Sequence, residues 1–100
     1  MTPDRFVVES RADDDVRATF HWYEAERPGL GAEFLVVLRA AYERIIDGPL
    51  RYATIRSGAR RALVRRFPYI VYFVIEDEFV IVFAVLHARR NPSVWQRRRR

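Results

Sequence analysis

The chain has no cysteine and no lysine. Without thiols, neither a disulfide framework nor a thiolate metal site can form. Without lysine, no side-chain amine can serve as a general base or form a Schiff base. Histidine is scarce. His21 and His87 lie far apart, and no His/Asp/Glu set has ligand spacing, so neither metal nor other cofactor is expected. The longest apolar run, Phe79 to Leu86, has a strand's length and is far short of a membrane span. Asp4 and Arg5 precede only a short apolar stretch, which does not read as a signal peptide. Cytoplasmic residence is the expectation.

What is present is a core and an uneven charge. The 100 residues are expected to form one domain, 1–100, that buries roughly two thirds of its unfolded surface. Half the residues are hydrophobic and 14% are aromatic, which argues against disorder. All 18 basic residues are arginine. Residues 1–50 carry six arginines against ten acids, whereas residues 51–100 carry twelve against three. A basic half of this kind can meet nucleic acid or an acidic protein partner. Arginine stays protonated and suits the clamping of phosphate and carboxylate.

The first half has helical periodicity. Arg5-Phe6-Val7-Val8-Glu9 reads as an opening strand. Ser10 and Asp13 suggest a capping box, and Asp13-Asp14-Asp15 favours a helix N-terminus. Ala12, Val16, Thr19, Phe20 and Tyr23 recur at helical spacing to about Glu26, where Pro28-Gly29-Leu30-Gly31 breaks the pattern. A second stripe, Leu30, Phe34, Val37, Leu38, Ala41 and Ile45, ends at Asp47-Gly48-Pro49. So short a link requires an antiparallel helical hairpin.

The second half changes period. Ala59 to Arg66 is a strand candidate, followed beyond Pro68 by Tyr69–Ile75. Glu76-Asp77-Glu78 supplies a turn, and Phe79–Leu86 runs back. The last two strands are apolar on both faces, so both faces should be covered. A helical hairpin covers only one, which leaves the other to the C-terminal segment or to a second protein. The fold class is α+β. An N-terminal strand and helical hairpin pack on a twisted antiparallel sheet, in the order β-α-α-β-β-β, with a short helical turn near residues 92–96.

The end of the chain concentrates chemistry. His87-Ala88-Arg89-Arg90 follows the last strand, Asn91-Pro92 stops it, Trp95 offers an anchor, and Arg97 to Arg100 close the chain. His87 can shuttle a proton, or hydrogen-bond the backbone and fix the tail. Arg89 and Arg90 can hold phosphate or pair with Glu24 or Glu26 of the hairpin. Arg60, Arg61, Arg65 and Arg66 can split between the two faces of their strand. The terminal arginines read as a solvated end or as a contact surface.

These words, in this order, resemble one family. They are Trp22-Tyr23-Glu24, Pro28-Gly29-Leu30-Gly31 with Phe34, Pro49 with Tyr52, Arg65-Arg66-Phe67-Pro68-Tyr69, and Ala84 to Pro92 with Trp95. Over nearly the whole chain they resemble the RelE/ParE superfamily of toxins from type II toxin–antitoxin systems. The resemblance implies a cytoplasmic toxin without cofactor, held in a hetero-oligomer by a cognate antitoxin whose C-terminal segment wraps it. On that footing Trp22, Tyr23, Phe34, Tyr42 and Tyr69 are the candidate antitoxin contacts. Arg60, Arg61, Arg65, Arg66, Arg89, Arg90, Arg97 and Arg98 are the candidate target contacts.

Two activities divide that superfamily. RelE-like members cut messenger RNA on the ribosome by metal-free chemistry, using lysines, arginines and a C-terminal tyrosine. ParE-like members poison DNA gyrase and lack those residues. Here Tyr69-Ile70 stands where an arginine is expected, and Trp95, whose indole is neither acid nor base near neutral pH, stands for the tyrosine. The ParE-like reading is therefore favoured. The nuclease alternative would rest on His87, Arg89 and Arg65, and a further alternative is a non-toxic binding module that keeps the fold.

Overall fold

The computed structural model describes residues 5–99, so Arg100 of the arginine run lies outside the described residues. Strand β1 (Phe6–Val8) leads directly into helix α1 (Ser10–Glu26) and helix α2 (Leu30–Asp47). The strands β2 (Arg60–Val64), β3 (Tyr69–Glu76) and β4 (Phe79–His87) follow, and a short helix α3 (Ser93–Arg98) ends the fold.

Helix α1 begins one residue earlier than its expected cap. Ser10 is already helical, Glu9 occupies the cap position, and no side chain caps it, so the capping box does not form. Between the helices Gly29 takes φ 92°, the left-handed conformation that turns the chain. Gly31 lets the helices touch. A Cβ there would lie 2.6 Å from the Phe20 carbonyl oxygen and 2.7 Å from its ring. Helix α2 stops where the Gly48 N–H turns back to the carbonyls of Arg44 and Ile45, each 3.2 Å away, with Pro49 next.

The strand order is β1-β4-β3-β2. Strands β2, β3 and β4 pair antiparallel, but β1 lies parallel to β4, with Phe6 opposite Val80 and Val8 opposite Val82. The three later strands form the expected antiparallel sheet, and the N-terminal strand joins it in parallel, so the whole sheet is mixed. The pairings make β1 and β2 run the same way on opposite edges, so the helical hairpin between them belongs to a long crossover.

Each face has its own core. Phe34, Leu38, Ala41 and Ile45 of α2 pack with Ala12 on Val64, Val71, Phe73, Val80, Val82 and Val85. The opposite face buries Ile70, Tyr72, Val74, Phe83, Ala84 and Leu86 under Trp95, Ala59, Ile55 and Val94. A bulge at Phe83 makes this second core possible. Tyr72 pairs with Ala84 and Phe73 with Val82, so Phe83 has no partner of its own and points to the same face as Ala84. The chain's own C-terminal segment thus covers the second face, and no second protein is needed there.

Candidate functional site

Four side chains singled out in the sequence meet in one cleft. Trp22, Tyr69, His87 and Arg90 line a depression of about 240 Å³, closed by Asp15, Ala18 and Thr19 of α1 and by the end of β4. Helical spacing puts Asp15, Thr19 and Trp22 on the face of α1 that crosses β4. Tyr69 opens β3 and pairs with His87 at the end of β4, their rings 5.4 Å apart at 73°. His87 organises the turn after β4. Its Nδ1 accepts the Arg89 N–H at 3.0 Å, and its carbonyl accepts the Arg90 N–H at 2.9 Å. In its neutral form His87 therefore carries its proton on Nε2. The turn fixes where Arg89 and Arg90 leave the sheet. Neither pairs with Glu24 or Glu26 among the described residues.

Glu24 has another task, one invisible in its sequence context. Its Oε2 accepts the Gly29 N–H at 2.9 Å and its Oε1 accepts the Gly31 N–H at 2.8 Å, which caps α2 from the neighbouring helix. The Gly29 bond is the main reason its pKa is lowered from the ordinary 4.5; desolvation opposes this, while Gly31, Ala32 and Arg27 add to it.

An aromatic wall runs beneath the cleft. The Tyr23 ring lies 5.1 Å from Trp22, 4.9 Å from Phe67 and 5.7 Å from Phe34, and burial followed by the nearby Tyr69 raises its pKa. Trp22 is 59% exposed, and Leu35 and Val36 of α2 are also exposed. Two expected antitoxin contacts are corrected. Phe34 has no exposed surface and supports the wall from within. Tyr42 packs on Phe6 at 5.2 Å with its hydroxyl buried and, among the described residues, without a hydrogen-bond partner, and burial, then Asp13 and Asp15, raise its pKa. Trp22, Tyr23 and Tyr69 keep surface at the cleft or beside it.

The eight arginines expected to meet a target do not act as a set. Arg98 is corrected outright: it is an interior ion pair with Asp15. Arg60 donates to the Tyr52 carbonyl and holds the chain beside the sheet. Arg66 reaches Glu33 at 3.6 Å. Arg61 shares a face of β2 with Leu63, which is 66% exposed, and both join Arg65 of the following turn, Arg44, Arg51 and Tyr52 around an open groove of about 630 Å³. Arg44 also donates to the Leu63 carbonyl at 3.3 Å, blunting the sheet edge. Arg44, Arg51 and Leu63 were missed in the sequence. The alternation Arg61-Ala62-Leu63-Val64-Arg65 was the available signal, with its two buried residues between three outward ones.

The nuclease candidates share no one depression, although the Arg89 N–H bonds His87. His87 lines the cleft, Arg65 lines the groove at the β2 edge, and Arg89 lines neither. Trp95 is buried, stacked on Tyr72 with ring centroids 5.2 Å apart and planes at 18°. Among the described residues no group of three or more His, Asp or Glu is placed to hold a metal.

The model of a family described as the ParE toxin of the type II toxin–antitoxin system parDE matches residues 6–92. The chain belongs to the ParE toxin family. It is thus the toxin component of a type II toxin–antitoxin module, with a cognate antitoxin as its partner. Toxin ParE2 of Mycobacterium tuberculosis, in strains CDC 1551 / Oshkosh and H37Rv, is 27% identical over 90 residues, covering 89% of this ParE chain and 86% of the relative. A chain of the chromosomal ParDE TA system from P. aeruginosa shares the fold with a TM-score of 0.73 at 13% identity, covering 82% of this chain and 92% of that one.

Proposed function

We propose that this ParE toxin arrests growth by inhibiting DNA gyrase through protein–protein contact, without breaking a bond itself. The observation that supports this reading is that His87 and Arg65 line different depressions and Arg89 lines neither. Attack of a 2′-hydroxyl on its phosphate needs a base, an acid and a cation around one phosphorus. Among the described residues no depression is lined by His87, Arg65 and Arg89 together, and the Trp95 indole is committed to the second core. Trp22, Tyr23 and Tyr69, with Leu35 and Val36 nearby, form the seat for the antitoxin's C-terminal segment. The arginine groove of Arg44, Arg51, Arg61 and Arg65 receives an acidic surface of the target. Arg89 and Arg90, in the turn that follows His87, extend the contact along the same end of the sheet as Arg65. Antitoxin and gyrase both locate the toxin in the cytoplasm, and among the described residues no helix is long and apolar enough to cross a membrane.

The test is supercoiling of relaxed plasmid by purified gyrase. The toxin in molar excess is expected to abolish supercoiling, and the cognate antitoxin to restore it. Unchanged supercoiling, together with codon-phased messenger RNA cuts on translating ribosomes, would overturn the proposal in favour of cleavage.

A further inference from the structure

A third depression, of about 430 Å³, is lined by Arg56, Ser57, Ser93, Gln96 and Arg97. It shares no lining residue with the cleft or the groove. One wall is the tip of a tight turn. Ser57 (φ 59°, ψ 32°) and Gly58 (φ 74°) are both left-handed, the Ala59 N–H bonds the Arg56 carbonyl at 3.1 Å, and Thr54 bridges Arg60. Two successive left-handed residues in so tight a turn make a stiff mount for Arg56 and Ser57. The other wall is the outer side of α3. Trp95 stacked on Tyr72 and Arg98 paired with Asp15 hold that helix down.

All five lining side chains donate hydrogen bonds, and none is a carboxylate. Along α3 the arginines divide cleanly. Arg98 pairs with Asp15 and Arg99 with Glu76, whereas Arg97 bonds only the Ser93 hydroxyl, at 3.3 Å, among the described residues. Arg56 makes no ion pair among the described residues either. Two unspent guanidinium groups on rigid walls, with two hydroxyls and an amide between them, form an acceptor-seeking site.

We infer that this depression binds the phosphate of a nucleotide or of single-stranded nucleic acid. Guanidinium groups grip phosphate oxygens with paired hydrogen bonds, and Ser57, Ser93 and Gln96 supply donors for the remaining oxygens and an adjoining sugar hydroxyl. The volume falls among those of small-molecule sites, about 300–1,000 Å³, which suits a phosphate ester. No aromatic ring lines it, so no base is stacked and recognition is independent of base identity.

The experiment is calorimetric titration of the full chain at moderate salt with three probes: inorganic phosphate, adenosine 5′-monophosphate, and an oligothymidylate with no terminal phosphate. Binding of the monophosphate assigns a terminal phosphate, and binding of the oligonucleotide assigns a phosphodiester; either supports the site. Arg56→Ala and Arg97→Ala should each weaken binding about tenfold, the cost of one charge-assisted contact. Arg39→Ala, exposed on α2 and outside the pocket, the cleft and the groove, should leave it unchanged. Both pocket arginines are exposed, so thermal melts of these variants should match the parent. Equal loss in Arg39→Ala would mean a diffuse basic field, and absence of binding by every probe would mean no site. Either result overturns the inference.

Discussion

Asp15 of α1 and Arg98 of α3, 83 residues apart in sequence, form a two-bonded ion pair inside the protein. Arg98 Nη1 donates to Asp15 Oδ2 at 2.7 Å and Nη2 to Oδ1 at 3.1 Å, with the side chains only 15% and 13% exposed. The pair also finishes the sheet. Strand β1 pairs with β4 only through Val82, beyond which the backbone of β4 lacks a strand neighbour on that side. Asp15 accepts the Val85 N–H at 2.9 Å, and Arg98 donates to the Phe83 carbonyl at 3.2 Å. One carboxylate and one guanidinium thus replace the missing ladder and fasten both α1 and α3 to it.

Removing one partner leaves the other charge buried with an unsatisfied strand edge. Arg98→Ala and Asp15→Ala should each destabilise the fold by about 3–5 kcal/mol. The double variant should lose less than the sum of the two. Urea unfolding monitored by circular dichroism checks this, and midpoints unchanged from the parent would show that the pair is not structural.

The cap at Glu24 predicts a pH dependence. Its folded pKa lies below the ordinary 4.5, so its stabilisation is complete above that value and is lost as pH falls through the folded value. Glu24→Gln should lower stability at neutral pH and flatten the stability–pH curve in the acid range. Thermal melts between neutral pH and acid, compared with the parent, read both effects. A parallel curve would assign the acid sensitivity to other carboxylates.

At Gly31 there is no room for a methyl group, because a Cβ would press on the backbone oxygen of Phe20 as well as on its ring. Gly31→Ala should cost about 1–3 kcal/mol by forcing the helices apart. It should also weaken antitoxin binding through displacement of Trp22, two residues beyond Phe20. Chemical denaturation and a binding titration with the antitoxin test the two parts separately.

Trp22 and Phe34 offer the sharpest contrast between surface and core. Phe34→Ala removes a fully buried ring and should cost about 3–5 kcal/mol of stability. Trp22→Ala should change stability by about 0.5 kcal/mol or less. As a proposed anchor for the antitoxin, it should weaken that complex by about 2 kcal/mol or more. Denaturation and antitoxin titration on the same two proteins decide it, and an undiminished antitoxin affinity of Trp22→Ala would move the seat elsewhere.

Replacing Arg61 and Arg65 together by glutamate cancels the positive charge of the groove against Arg44 and Arg51 without touching a core side chain. The double variant should fold as the parent does, keep its antitoxin affinity, and lose inhibition of supercoiling by about tenfold or more. Full inhibition would place the target contact outside the groove.

Local pattern determined most of the elements. Phe34, Leu38, Ala41 and Ile45 of the 3.6-residue stripe are buried on one face of α2, and Tyr69–Ile75 and Phe79–Leu86 lie within the observed strands. The words shared with the toxin family also identified it, because turns, caps and core periodicity repeat at fixed spacing along the chain. Register over long distance was not legible. The parallel pairing of Phe6–Val8 with Val80–Val82 depends on where a crossover returns, and three residues carry too little pattern to reveal it. For the same reason Glu24, Arg44 and Arg98 read as surface charges, although each bonds groups brought near by folding. The tail that reads as seven basic or imidazole side chains in fourteen residues divides only in three dimensions. His87 and Arg90 face a cleft, Arg97 faces a separate pocket, and Arg98 and Arg99 pair with carboxylates. Sequence alone determined which residues form helices, strands and core, because burial repeats with local period. Tertiary structure decided which arginines remain available to a partner, because an ion pair depends on distance in space.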